Sequence, residues 1–184
     1  MINLQIDFDK NQISKIENAL SGVKNGAPRA ISRAINRTVS FGKTRISKLT
    51  REEYTIRAGD IKSASKTFKA NASNLRGEIS FKGRTKQLRD FGVRVNRKGL
   101  RVSVKRGTGF KRLPTAFIRT VNSGPAIMRR VGRERYPLEV LHGPSVPQMA
   151  GSVNVTPKVA KDIEAKLSER LEHEMNAILK GYAK

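Results

Sequence analysis

The spacing of the apolar residues changes period twice along the 184-residue chain, and this limits the possible folds more than any other feature. Toward both ends they recur every three or four residues, as on a helix, whereas in the middle they alternate with polar residues, as on a strand. Ile13, Ile16 and Leu20 predict a short amphipathic helix near residues 9–21, ending near Gly22. After Gly26 and Pro28, the residues Ile31, Ile35, Thr38, Gly42, Ile46 and Leu49 fall on one stripe. They predict a second helix over 28–50, of about 20 residues and roughly 30 Å. Arg29, Arg33 and Arg37 point away from that seam as a basic ridge. Thr156 followed by Pro157 reads as a helix start, and Val159, Ile163, Leu167, Leu171, Met175 and Ile178 carry the spacing on, predicting a long helix over 157–181. Its outer face, with Glu164, Lys166, Glu169 and Arg170, has the mixed sign of a solvated helix side.

Between these helices the runs 66–70, 75–81, 100–105 and 116–121 read as antiparallel strands. In the clearest, Leu100, Val102 and Val104 alternate with Arg101, Ser103 and Lys105, so that one face is buried and the other cationic. Residues 82–98 and 105–112 combine glycines with many basic residues and read as mobile loops. The predicted class is therefore α+β, a central antiparallel β-sheet flanked by an N-terminal helical pair and a long C-terminal helix. One domain spans 1–184: helices over 1–52, a basic sheet region over 66–121, a Pro/Gly-rich connector over 122–155 and the last helix over 156–184.

The charge is as segmented as the hydropathy. There are 38 Lys or Arg against 15 Asp or Glu, a formal net charge of +23. Residues 54–133 hold 21 of those bases and only Asp60, Glu78 and Asp90 as acids, a local net charge of +18. Such a field draws phosphate backbones, anionic surfaces or acidic protein faces, and charge alone does not choose among them. Aromatic residues are 5% of the chain and Trp is absent, which speaks against recognition by base stacking.

Catalytic signals fail one by one. Without cysteine there is no disulfide, thiolate metal site or thiol nucleophile. Gly42, Lys43 and Thr44 imitate the end of a phosphate-binding loop, but Arg37 stands where the motif needs its first glycine. His173 and Glu174 begin a zinc-protease helix motif that Ala177 does not complete. His142 and Ser145 lie among prolines with no third group to orient the imidazole, and the adjacent Glu52 and Glu53 carry no mark of an acid and base pair. The expectation is no enzyme, no metal and no cofactor. No run approaches the roughly 18 apolar residues of a membrane span, and the first ten residues, with Asp7 and Asp9, lack a leader pattern. A soluble protein made in the cytoplasm is expected.

Four segments carry a family resemblance: Asn25-Gly26-Ala27-Pro28-Arg29-Ala30, Ser32-Arg33-Ala34-Ile35-Asn36-Arg37-Thr38, Leu113-Pro114-Thr115-Ala116-Phe117-Ile118, and Tyr136-Pro137-Leu138 running on to Gly143-Pro144-Ser145-Val146-Pro147-Gln148-Met149. In this order, over about residues 20–150, the chain resembles the prophage minor tail protein Z family, tail-completion proteins of long-tailed bacteriophages. The stretch 143–149 is the most specific part. The resemblance implies a virion component, made in the host cytoplasm, acting at the neck where the finished tail meets the head. It also implies no catalysis and no cofactor, tail-end and head-connector proteins as partners, and a ring of copies, most simply six. Neck proteins similar to it combine a β-sheet with flanking helices.

Two sets of site residues follow. Gly143, Pro144, Ser145, Val146, Pro147, Gln148 and Met149 form a candidate partner interface, because prolines and a glycine fix the backbone and leave Val146 and Met149 as the apolar side chains most able to dock; the alternative is a buried connector that only turns the chain between the sheet and the last helix. Arg29, Arg33, Arg37, Arg94, Arg97, Lys98, Arg101, Lys105, Arg106, Lys111 and Arg112 are candidate contacts to phosphates or acidic partners. The two functional classes are a structural neck protein, and a sequence-nonspecific DNA-binding protein that holds the phosphates of genomic DNA.

Overall fold

The stripe from Ile31 to Leu49 forms the spine of the molecule. In the computed structural model, which describes residues 1–97, 99–121 and 124–181, it lies on the 28-residue helix α2 (Gly26–Glu53), and all six stripe residues are buried. Ahead of it come strand β1 (Ile2–Ile6) and helix α1 (Lys10–Ala19), whose first turn is closed by the Asp9 amide donating to Gln12 Oε1 at 3.2 Å. The last helix, α5 (Thr156–Leu179), lies along α2. Its Val159, Ile163 and Ile178 are buried and its Leu167, Leu171 and Met175 pack on the core as the spacing predicts. Arg45 of α2 pairs with Asp162 of α5 at 2.5 Å.

Between α2 and α5 the chain adds the short helix α3 (Ala58–Ala64), strands β2 (Ser65–Phe68), β3 (Gly77–Phe81), β4 (Thr85–Gln87), β5 (Gly92–Asn96), β6 (Gly99–Ser103), β7 (Lys111–Arg112), β8 (Phe117–Val121), β9 (Gly124–Arg130), β10 (Leu138–Val140) and β11 (His142–Ser145), and then helix α4 (Val146–Ala150). All strand pairs are antiparallel, and the class is α+β. Among the described residues the strands divide among four small sheets, ordered β1-β3-β2, β10-β9-β8, β11-β4 and β5-β6-β7.

The first of these sheets is the one that α2 covers. Gly77 of β3 comes so close to the helix that a Cβ there would lie 2.5 Å from Val39 Cγ2 and 2.6 Å from Ile35 Cγ2. Gly42 does the same from the helix side, where a Cβ would meet Ile79 Cδ1 at 2.9 Å and Ile163 Cδ1 at 3.0 Å. Two missing side chains thus let sheet, α2 and α5 close on one another.

The structure corrects three expectations. Residues 82–98 and 105–112 are not simply loops: they contain β4, a 3-10 turn at Leu88–Asp90, β5, a 3-10 turn at Arg106–Thr108 and β7. Val93 and Val95 pair with Val102 and Leu100, so Arg94 between them occupies a position of a true strand. Residues 122–155 are not a mere connector either, since they include β9, β10, β11 and α4. In β9, Ala126, Ile127 and Met128 form a continuous buried run. Strand β1 and helix α3 were not anticipated. The first is a five-residue alternation, and the second has Ile61 as its one buried residue.

Candidate partner-contact surfaces

The segment 143–149 crosses from β11 into α4, and its sequence builds that corner. The Ser145 amide and hydroxyl donate to Gln148 Oε1 at 2.8 and 3.0 Å, while the Gln148 amide donates to Ser145 Oγ at 3.4 Å. This reciprocal cap starts the helix at Val146, with proline in the first turn where no amide is needed. Val146 and Met149, three residues apart, then share the inward face. They are 1% and 0% exposed, so neither is a docking side chain; both belong to the core. Ser145 and Pro147 are buried, Gly143 and Pro144 half-buried, and Gln148 is exposed. Gly143 faces Phe91, whose ring would stand 2.7 Å from any Cβ added there.

The basic candidates separate into groups. On α2, Arg33 and Arg37 line a cleft of about 450 Å³ with Asn36, Ser40, Lys69 and Glu174. Asn36 orders the loop after β2 by accepting from the Ala70 amide at 2.8 Å and donating to its carbonyl at 2.9 Å, which sets Lys69 opposite the arginines. Arg29, half-buried one turn earlier, is outside that lining. Lys69 and the largely buried Glu174 were missed by the sequence reading, having no local spacing that ties them to α2.

The second group lies on β5-β6-β7. The register sets Arg94 opposite Arg101 and Arg101 opposite Arg112, a row of three exposed arginines across three strands. The Arg94 guanidinium lies 4.2 Å from the centre of the Phe110 ring. Arg97 is exposed in the turn after β5, and Lys111 is exposed on β7, opposite Val102. Lys98 lies outside the described residues.

Lys105 and Arg106 have a different use from the one expected of them. Arg106 Nε donates to the Arg51 carbonyl at 2.7 Å, and Lys105 stands 3.4 Å from Glu53, so both are tied to the end of α2. The physical reason is that the last carbonyls of a helix lack internal donors and its C-terminus favours positive charge. Glu53 also accepts from Ser152 Oγ at 3.2 Å and Asn154 Nδ2 at 3.0 Å, which makes it an anchor between the end of α2 and the turn before α5. Elsewhere Lys86 pairs with Asp60 at 2.6 Å and Arg129 with Glu139 at 3.0 Å. Ion pairs thus take up some of the cations, while Arg33 and Arg37 gather at the cleft and Arg94, Arg101 and Arg112 on the small sheet. From Arg37 to Arg51, α2 advances fourteen residues, about 21 Å, which separates the cleft from the helix end that holds Arg106.

Among the described residues two groups have shifted titration. The Tyr136 phenol is held below its ordinary value by a hydrogen bond from Arg119 and by that residue's charge. Glu169 is held low chiefly by Lys166, which donates to both carboxylate oxygens at 2.6 and 2.8 Å. Both are surface arrangements. Among the described residues no three His, Asp or Glu side chains gather as metal ligands, and no helix is long and apolar enough to cross a membrane. His173 Nδ1 stands 4.0 Å from Glu174, and His142 is exposed on β11.

No curated protein and no solved structure matches the chain. The family model described as prophage minor tail protein Z matches residues 10–184, nearly the whole of it, and on that ground the chain belongs to the prophage minor tail protein Z family.

Proposed function

We propose that this protein is a structural, non-catalytic component of a long-tailed phage or prophage particle, and that it completes the tail at the head-tail junction. The observation that carries the reading is the family match over 10–184, which takes in α1, α2, the basic sheets and α5 alike. A minor tail protein acts in a virion among other virion proteins. The strongly positive surface suits acidic neighbours, and it opposes association of free copies, since +23 on each copy repels the next. Assembly as a ring, most simply of six, is then templated by the tail end, with tail-end and head-connector proteins as the partners. The basic patches serve these contacts, and 143–149 holds the core that supports them.

The reading is tested by mixing the purified protein with tails that lack it. Specific, saturable attachment to such tails, with recovery of head joining, is expected. Attachment to heads or to free DNA with none to tails would overturn it.

A further inference from the structure

We infer that the arginine row on β5-β6-β7 is a docking site for an acidic segment of a neighbouring virion protein, held by paired contacts between guanidinium and carboxylate groups. The inference rests on the proposed tail role and gives that role a site and a partner chemistry.

The first support is that the row opposes the stability of its own sheet. Arg94, Arg101 and Arg112 are directly opposite one another on adjacent strands, and like charges so placed are destabilising. No carboxylate within the described chain neutralises it, as none of the three lies within ion-pair distance of one. Acids are available to other cations: Glu53 to Lys105, Asp60 to Lys86, Glu139 to Arg129. The sheet thus keeps three exposed, unneutralised guanidinium groups side by side, with the first held against the Phe110 ring.

The second support is spacing. Neighbouring strands lie about 4.8 Å apart, so the three positions span about 10 Å. Carboxylates on one face of a helix recur every three or four residues at about 5–6 Å. An acidic helical face can therefore present one carboxylate to each arginine, and the planar fork of arginine matches a carboxylate with two hydrogen bonds. A duplex is the poorer occupant. Strong salt-linked duplex binding comes from neutralising about six to ten phosphates along a track, whereas the row with its exposed neighbours Arg97 and Lys111 offers five described cations, and Lys105 and Arg106 are tied to α2.

The test uses the full chain and a labelled helical peptide bearing Glu at i, i+4 and i+8, with a Gln counterpart. Three forms are compared by fluorescence anisotropy: the natural protein, R94Q/R101Q/R112Q, and a control of equal charge, K10Q/K24Q/K158Q, which removes three exposed lysines elsewhere. The natural protein should bind the Glu peptide in preference to the Gln peptide. The row variant should lose at least about tenfold in affinity, since charged hydrogen bonds are lost together, while the control stays within about twofold. The row variant's thermal midpoint should hold or rise, because repulsion is removed. Equal losses in the two variants would overturn the inference, as would a row variant that loses duplex DNA binding but keeps the peptide. Tail attachment separates this result from the wider reading. If the natural protein and the row variant attach equally well, the neck role stands and the docking site falls. If the natural protein binds the peptide through the row yet never attaches to tails, the docking site stands and the neck role falls.

Discussion

Replacing Met149 by Ala should destabilise the protein and leave its contacts with partners alone. Met149 is fully buried in the core, on a helix that packs against α2, α3, β1 and β3. Truncating a buried Met to Ala costs about 2–5 kcal/mol, the spread reflecting how far the site collapses. This site sits among several elements at once, so collapse is restricted and a value near the middle, about 3 kcal/mol, is expected. For a chain of this length each kcal/mol moves the thermal midpoint by about 2–4 °C, so the midpoint should fall by about 6–12 °C. Urea denaturation followed by circular dichroism reads the same loss, with an unchanged slope if only the native state is affected. Tail attachment, measured well below the variant's midpoint, should be retained. A stability within about 0.5 kcal/mol of the natural protein, together with lost attachment, would refute the reasoning and make Met149 a contact residue.

Gly77→Ala should cost about 1–3 kcal/mol in the same denaturation assay, because the new methyl meets Val39 and Ile35, β-branched residues with little rotamer freedom in a helix. A neutral result would mean that α2 can move off β3. Ser145→Ala removes the cap of α4 and should cost about 0.5–2 kcal/mol, with Ser145→Thr closer to the natural protein. Arg119→Ala should raise the Tyr136 phenol back toward its ordinary value in a spectrophotometric titration, since the depressing hydrogen bond and charge are both lost; an unmoved midpoint would remove Arg119 as the cause.

What the sequence made legible was the part written in local periodicity. The stripe from Ile31 to Leu49 marks the buried face of α2 residue by residue, and Leu100 and Val102 mark the buried face of β6. Strand β5 escaped because Arg94, Arg97 and Lys98 made the segment read by composition, although Val93 and Val95 alternate as strand residues do. The corner at 143–149 had a readable sign, Ser145 followed three residues later by Gln148, which is a cap and not a loop. Its burial was not readable, since that is decided by α2, α3 and the first sheet, which come from distant parts of the chain. The arginine row is likewise a property of register: Arg94, Arg101 and Arg112 are ordinary surface residues until the β5-β6 and β6-β7 pairings set them in line. The cleft beside Arg33 and Arg37 needs Lys69 and Glu174, which arrive from β2's following loop and from α5.

A neck role is a role of place, and imaging reads the place of the chain in the particle. Particles assembled with a tagged form of the chain can be viewed by electron microscopy with the tag labelled. Label is expected only at the end of the tail that joins the head, present on completed tails before heads are added and retained in the joined particle. Label along the tail tube, at the distal tip, or only on heads and their DNA would contradict it.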